Sequence, residues 1–200
     1  MLRTTRRRAG PSALSRASRC PAGEARGFTL IELLVVVGVL GVAMAVAVPS
    51  IGSWLAAARA DAGMRQLLGE LRAARDFAMT QRRTMEVQFL GTNQITCTRV
   101  DGMNRTTLRE AVFEYGMEYR LEPGVPDTPD AFGNTSALDF GGPTTLYFLV
   151  DGSVVDDTGV PLSGTVFLGR PDQPLTARAV TVLGPTGRVQ AYRWNGGSWR

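Results

Sequence analysis

Residues 26–48 read RGFTLIELLVVVGVLGVAMAVAV, and the 21 residues from Phe28 to Val48 contain one charge, Glu32. At about 1.5 Å rise per residue a helix of that length covers roughly 32 Å, and a bilayer's hydrocarbon core is about 30 Å thick. The stretch reads as a membrane-spanning helix. An ionisable group within its first turns costs about 2.5–3.5 kcal/mol on insertion scales. A plain anchor has no use for Glu32, and a carboxylate in lipid needs a partner. The competing reading is a secretory signal cut at small residues such as Ala43, Ala45 and Ala47. Pro49 and the helical pattern after it argue for a continuous chain instead.

Outward from this run the charge is uneven. Residues 1–27 hold seven arginines against Glu24, a local charge of +6, whereas the other 173 residues carry 15 Arg and 17 acids, a charge of −2. A segment this basic with no apolar run has nothing to pack a core with and reads as a leader. Because the first arginine after the apolar run is Arg59, the positive-inside rule puts the N-terminus in the cytoplasm and residues 50–200 outside. The sequence pI near 9.7 and the net charge of +4 therefore describe targeting, and the −2 remainder argues against a nucleic-acid partner. All 22 basic residues are Arg, with no Lys and no His, which excludes catalytic lysines, His-based triads and His metal sites. At 200 residues and 44% apolar content, the chain fits one ordinary domain plus attachments.

Beyond Pro49 and Gly52, where a bend is expected, apolar residues recur at spacings of three and four. They are Ile51, Trp54, Leu55, Ala58 and Ala62, then Met64, Leu67, Leu68, Leu71, Ala74 and Ala78. The arginines between them read as a solvated face, the alternative being contact with neighbouring subunits. After Arg83 the texture alternates. Strands are expected at 84–90, 94–100, 108–114, 117–121, 144–150, 164–168, 177–183 and 188–194, separated by Gly-containing turns. Residues 122–143 hold four Pro and four Gly, break any strand, and read either as a functional loop or as a tolerated insertion.

The order Arg26-Gly27-Phe28-Thr29-Leu30-Ile31-Glu32, with a basic leader before it and an apolar helix after it, resembles the type IV prepilin signature. The resemblance implies cleavage between Gly27 and Phe28 by a prepilin peptidase that also methylates the new amine of Phe28. It implies too that Glu32 pairs with a neighbouring subunit's N-terminal ammonium. Cys20, which follows Arg19, reads as a passenger in the removed leader. The implied fold is α+β and pilin-like: a long bent N-terminal helix, its transmembrane half at 28–48 and its amphipathic half at 49–83, packed on an antiparallel β head at 84–200.

Residues 74–87 (ARDFAMTQRRTMEV) and 180–189 (VTVLGPTGRV) look like the GspH/FimT family of minor pseudopilins and pilins. Membership implies a low-copy structural subunit, not an enzyme, at or near the tip of the type II secretion pseudopilus. Its implied partners are other pseudopilins, an inner-membrane assembly platform and secreted cargo. The alternative branch is a FimT-like minor type IV pilin acting in pilus assembly, adhesion or DNA uptake. Some members of that branch bind DNA through a C-terminal Gly-Arg-x-Arg-like motif. Here Gly187-Arg188-Val189 is followed by Gln190, which leaves Arg188 and Arg193 as the candidate contacts. The competing reading is a terminal hairpin with arginines guarding an edge strand, and it is preferred. Cys97, alone once the leader is removed, reads as a small packed side chain. The loop acids Asp127, Asp130, Asp139, Asp151, Asp156 and Asp157 do not match an EF-hand, so no metal and no cofactor is expected.

Overall fold

The computed structural model describes residues 27–200, except for the side chains of residues 46–51 and 53. Expectations for residues 1–26, including Cys20, lie outside the described residues. The chain divides into two compact units, Met1–Ala45 and Val46–Arg200.

Helix α1, Leu30–Gln81, has 52 residues, and its assignment is unbroken through Pro49. Within the first unit its apolar side chains from Leu30 to Met44 are exposed, so this stretch buries nothing of its own. Among the described residues no helix is long and apolar enough to cross a membrane. The expected span, 28–48, runs into residues 46–51, whose side chains lie outside the described ones. The helix ends without a glycine. Arg82 takes the left-handed conformation (φ 51°) at the position after the cap, and the Arg83 N–H donates to the Ala78 carbonyl at 3.3 Å, closing a Schellman motif.

The second unit places the rest of α1 beside two antiparallel sheets, as the α+β expectation requires. In chain order the strands are β1 (Thr84–Leu90), β2 (Gln94–Asp101), β3 (Asn104–Val112), β4 (Glu118–Tyr119), β5 (Leu138–Asp139), β6 (Thr145–Phe148), β7 (Val154–Val155), β8 (Gly164–Arg170), β9 (Gln173–Leu183) and β10 (Arg188–Arg193). The first sheet runs β3-β2-β1-β6-β7; the second runs β10-β9-β8-β4, with β5 also paired to β8.

Several strand expectations change, and β9 begins at Gln173 rather than residue 177. β3 begins at Asn104 rather than residue 108, because Asp101 pairs with Asn104 across a tight turn. It is an edge strand with almost wholly exposed side chains, so no apolar alternation marked its start. Residues 122–143 do not break every strand, since β5 lies within them and pairs Leu138 with Val166. β7 has two residues, too few to show a period.

One core joins the three layers. Ala60, Leu67, Leu71, Ala74 and Ala78 form the buried stripe of α1, and it meets Met85, Val87, Phe89 and Cys97 of the first sheet and Val166, Leu168, Val180 and Val182 of the second. Each fully buried leucine contributes about 1.5–3 kcal/mol. Trp54, expected on the apolar face, is instead 72% exposed.

Two charged clamps flank this stripe. Glu70 on α1 accepts from Arg109 on β3 in a bidentate pair, Nε–Oε2 2.6 Å and Nη2–Oε1 2.7 Å. Asp61 receives Arg178 of β9 (Nε–Oδ1 2.7 Å) and Arg193 of β10 (Nη2–Oδ2 2.6 Å). Part of the expected solvated face is therefore internal, and Arg72 and Arg75 also donate to head carbonyls, those of Val189 and Gly152.

Candidate functional site

The expected processing residues lie together at the start of α1. Gly27 and Phe28 precede the helix and are exposed, and a side-chain carbon placed on Gly27 would meet nothing within 4 Å. A backbone this open is what a peptidase needs to bind in extended form. Thr29 caps the helix: its Oγ1 accepts from the Glu32 N–H at 3.3 Å, and its carbonyl accepts from the Leu33 N–H at 3.2 Å. Thr29-Leu30-Ile31-Glu32 thus has the T-x-x-E spacing of a capping box. That spacing is visible in the sequence alone. It provides Glu32 with a local role at the helix N-terminus, where a carboxylate is also favoured by the helix dipole.

At the other end of the chain the structure does not bring Arg188 and Arg193 together. Five residues apart on β10, they point to opposite faces of the second sheet. Arg193 reaches Asp61 on the helix side. Arg188, on the outer side, lies 3.3 Å from Asp130. Both guanidiniums are half exposed and each has a carboxylate neighbour, so neither is a free phosphate contact. β10 is the edge of its sheet, as the hairpin reading requires.

Asp130 shows what the 122–143 segment does. It sits on the outer face of the second sheet, where Thr181 donates to its Oδ2 at 2.6 Å and the Tyr192 hydroxyl lies 3.0 Å from the same oxygen. Nearby, Trp199 Nε1 donates to the Pro126 carbonyl at 2.9 Å, and Val125 packs with Ala177, Trp194 and Trp199. The segment therefore covers the face of the sheet turned away from α1. A polar composition hid this, because anchoring rests on one aspartate, one backbone carbonyl and one valine rather than on an apolar period.

Cys97 is buried, as expected of a packed residue, and lies beside the Glu70–Arg109 clamp. Burial first, then the Glu70 charge, opposed by Arg109, push its thiol up to about 11 from an ordinary 9.0. Two consequences follow from the direction. With Cys20 replaced by Ser, maleimide at pH 8 should label the folded protein about 100-fold more slowly than the urea-unfolded chain, since the reactive thiolate is that much rarer. The folded state binds this proton more tightly than the unfolded chain, so the stabilising contribution is complete below pH 9. It is lost as pH rises towards 11, and denaturant titrations across that window should record the fall. Burial raises the Tyr119 hydroxyl as well, which steepens the same alkaline loss.

Among the described residues no group of His, Cys, Asp or Glu side chains is arranged to hold a metal ion.

Comparison with known proteins bears on the N-terminal site. The model of the prokaryotic N-terminal methylation motif matches residues 24–48, the segment that contains Gly27, Phe28 and Glu32. This chain carries an N-terminal methylation motif. The motif ends at Val48, before the second unit's described side chains begin. Similar solved structures include the type IV minor pilin FimU of Pseudomonas aeruginosa (strain PAO1), at 17% identity over 66% of this chain and 90% of that one, TM-score 0.46. A second crystal form of the same protein has 16% identity over 70% and 91%, TM-score 0.48. The minor pseudopilin EpsH from the type 2 secretion system of Vibrio cholerae has 14% identity over 68% and 97%, TM-score 0.46. No curated protein matches the sequence.

Proposed function

We propose that this protein is a minor pseudopilin of the GspH/FimT kind, a structural subunit at or near the tip of the type II secretion pseudopilus. A prepilin peptidase cuts after Gly27 and methylates Phe28. Residues 28–48 hold the subunit in the inner membrane with the N-terminus cytoplasmic and the head outside. Glu32 then pairs with a neighbouring subunit's amine as the assembly platform draws the chain into the filament among other pseudopilins. The observation that carries the reading is the methylation motif at residues 24–48, placed at the start of a 52-residue helix. The pairing of Arg188 and Arg193 with carboxylates favours a protein-contacting head over a DNA-binding one.

The test is the mass of the mature N-terminus. Protein purified from its membrane fraction should begin at Phe28 and be one methylene heavier than the bare sequence, and deleting the peptidase should restore the leader. A chain that keeps Met1, or one cut after Ala47, overturns the reading.

A further inference from the structure

Three exposed apolar side chains and two arginines gather on the second unit near where it leaves the apolar run. Trp54 is 72% exposed, Leu175 60% and Tyr115 59%. An apolar groove of about 790 Å³ is lined by Trp54 and its neighbours on α1, by Pro174 and Leu175 at the start of β9, and by Arg170 at the end of β8. Tyr115 and Gly116 both have left-handed backbones, φ 61° and 72°. Tyr115 presents its ring to Arg59, whose Cζ is 5.1 Å from the ring centroid. Arg170 joins the two halves of the surface, since its Nε would stand 3.7 Å from a side-chain carbon on Gly116. Among the described residues neither Arg59 nor Arg170 has a carboxylate at ion-pairing distance. Asp61, two residues from Arg59, is taken up by Arg178 and Arg193, and Asp172, two residues from Arg170, is exposed.

Covalent geometry limits what this surface can meet. Trp54 follows Val48 by six residues, so at about 3.6 Å per residue it lies within about 22 Å of the end of the apolar run, whatever path the chain takes. Amphipathic rings concentrate at the headgroup level of bilayers, and guanidiniums beside them suit lipid phosphates. Self-pairing through this face would set the arginines of one copy against those of another.

We propose that this face rests on an anionic bilayer surface before assembly, with Trp54, Tyr115 and Leu175 in the interfacial layer and Arg59 and Arg170 against phosphates. The inference rests on the membrane span proposed above, and the experiment separates the two. The full chain is reconstituted in vesicles of equal phosphatidylcholine and phosphatidylglycerol, with and without bromines on the acyl carbons next to the headgroup. Brominated lipid should quench tryptophan emission, and the quenching should disappear in Trp54→Phe. It should weaken both in the Arg59→Gln/Arg170→Gln variant and in vesicles lacking phosphatidylglycerol, with near-UV circular dichroism unchanged. If the chain floats with vesicles after carbonate washing but emits equally in both lipids, the surface proposal is overturned and the span stands. Loss of flotation overturns the span and the proposal with it. Trp54 emission that shifts only with protein concentration assigns the face to a second copy and also overturns the proposal.

Discussion

Glu32→Gln is expected to insert, be cleaved and be methylated like the natural chain, yet to be absent from filaments. The substitution separates two roles. A capping box accepts Gln as well as Glu at its third helical position, so the Thr29 cap survives and the helix start should be unchanged. What disappears is the negative charge that a neighbour's methylated ammonium would meet in lipid. Leaving one member of a buried ion pair without its partner costs about 3–5 kcal/mol, equivalent to roughly a 150- to 5,000-fold loss in association. Immunoblots of sheared filaments against membranes would read this directly, with Glu32→Ala as the companion that removes the polar side chain as well as its charge while keeping the backbone N–H that Thr29 caps. Normal incorporation of Glu32→Gln would sink the pairing idea, whatever Glu32→Ala does.

The second large effect lies in the head. Asp61→Ala should lower stability by about 3–5 kcal/mol, because it leaves the Arg178 guanidinium buried without a counter-charge. Arg178 is 1% exposed, and its remaining contacts are the carbonyls of Leu175, Ala177 and Ala57, which do not neutralise it. Desolvation already pulls its pKa below the usual guanidinium range. For a unit of this size each kcal/mol lowers the midpoint by about 2–4 °C, so a fall of about 6–20 °C is expected in a thermal scan of the detergent-solubilised chain. Asp61→Ala/Arg178→Met should recover most of it, since an apolar side chain removes the uncompensated charge. Arg193→Ala should change little, because that half-exposed partner is screened by solvent. A midpoint within about 2 °C of the natural protein for Asp61→Ala would refute the clamp.

The two clamps also show where sequence reasoning stopped. Asp61 and Glu70 sit among the arginines of an amphipathic helix, and a charge there reads as solvated. Which of them is internal depends on the arginine facing it from β9 or β3, and those lie 117 and 39 residues away. The same holds for residues 122–143. Their prolines and glycines gave correct warning of irregular backbone, but not that Asp130 would bond Thr181 and fasten the segment over a sheet. The legible strands were of two kinds, those with one wetter face such as Thr84–Leu90 and apolar runs buried on both faces such as Gly164–Arg170. β3 lost its signal at an exposed edge.

The sequence by itself determined the N-terminal half of this protein's description: the basic segment, the apolar run, the Gly-Phe-x-x-x-Glu spacing and the helix-to-strand change after Arg83. These are local properties, set by covalent order, charge and periodicity over a few turns. Only the tertiary structure decided that Arg188 and Arg193 point to opposite faces of one strand, that Asp61 and Glu70 anchor the helix to β9 and β3, and that Trp54 joins Tyr115 and Leu175 on an exposed surface. Each of those depends on pairing between residues far apart in the chain, where burial and register, rather than any short pattern, choose the partner.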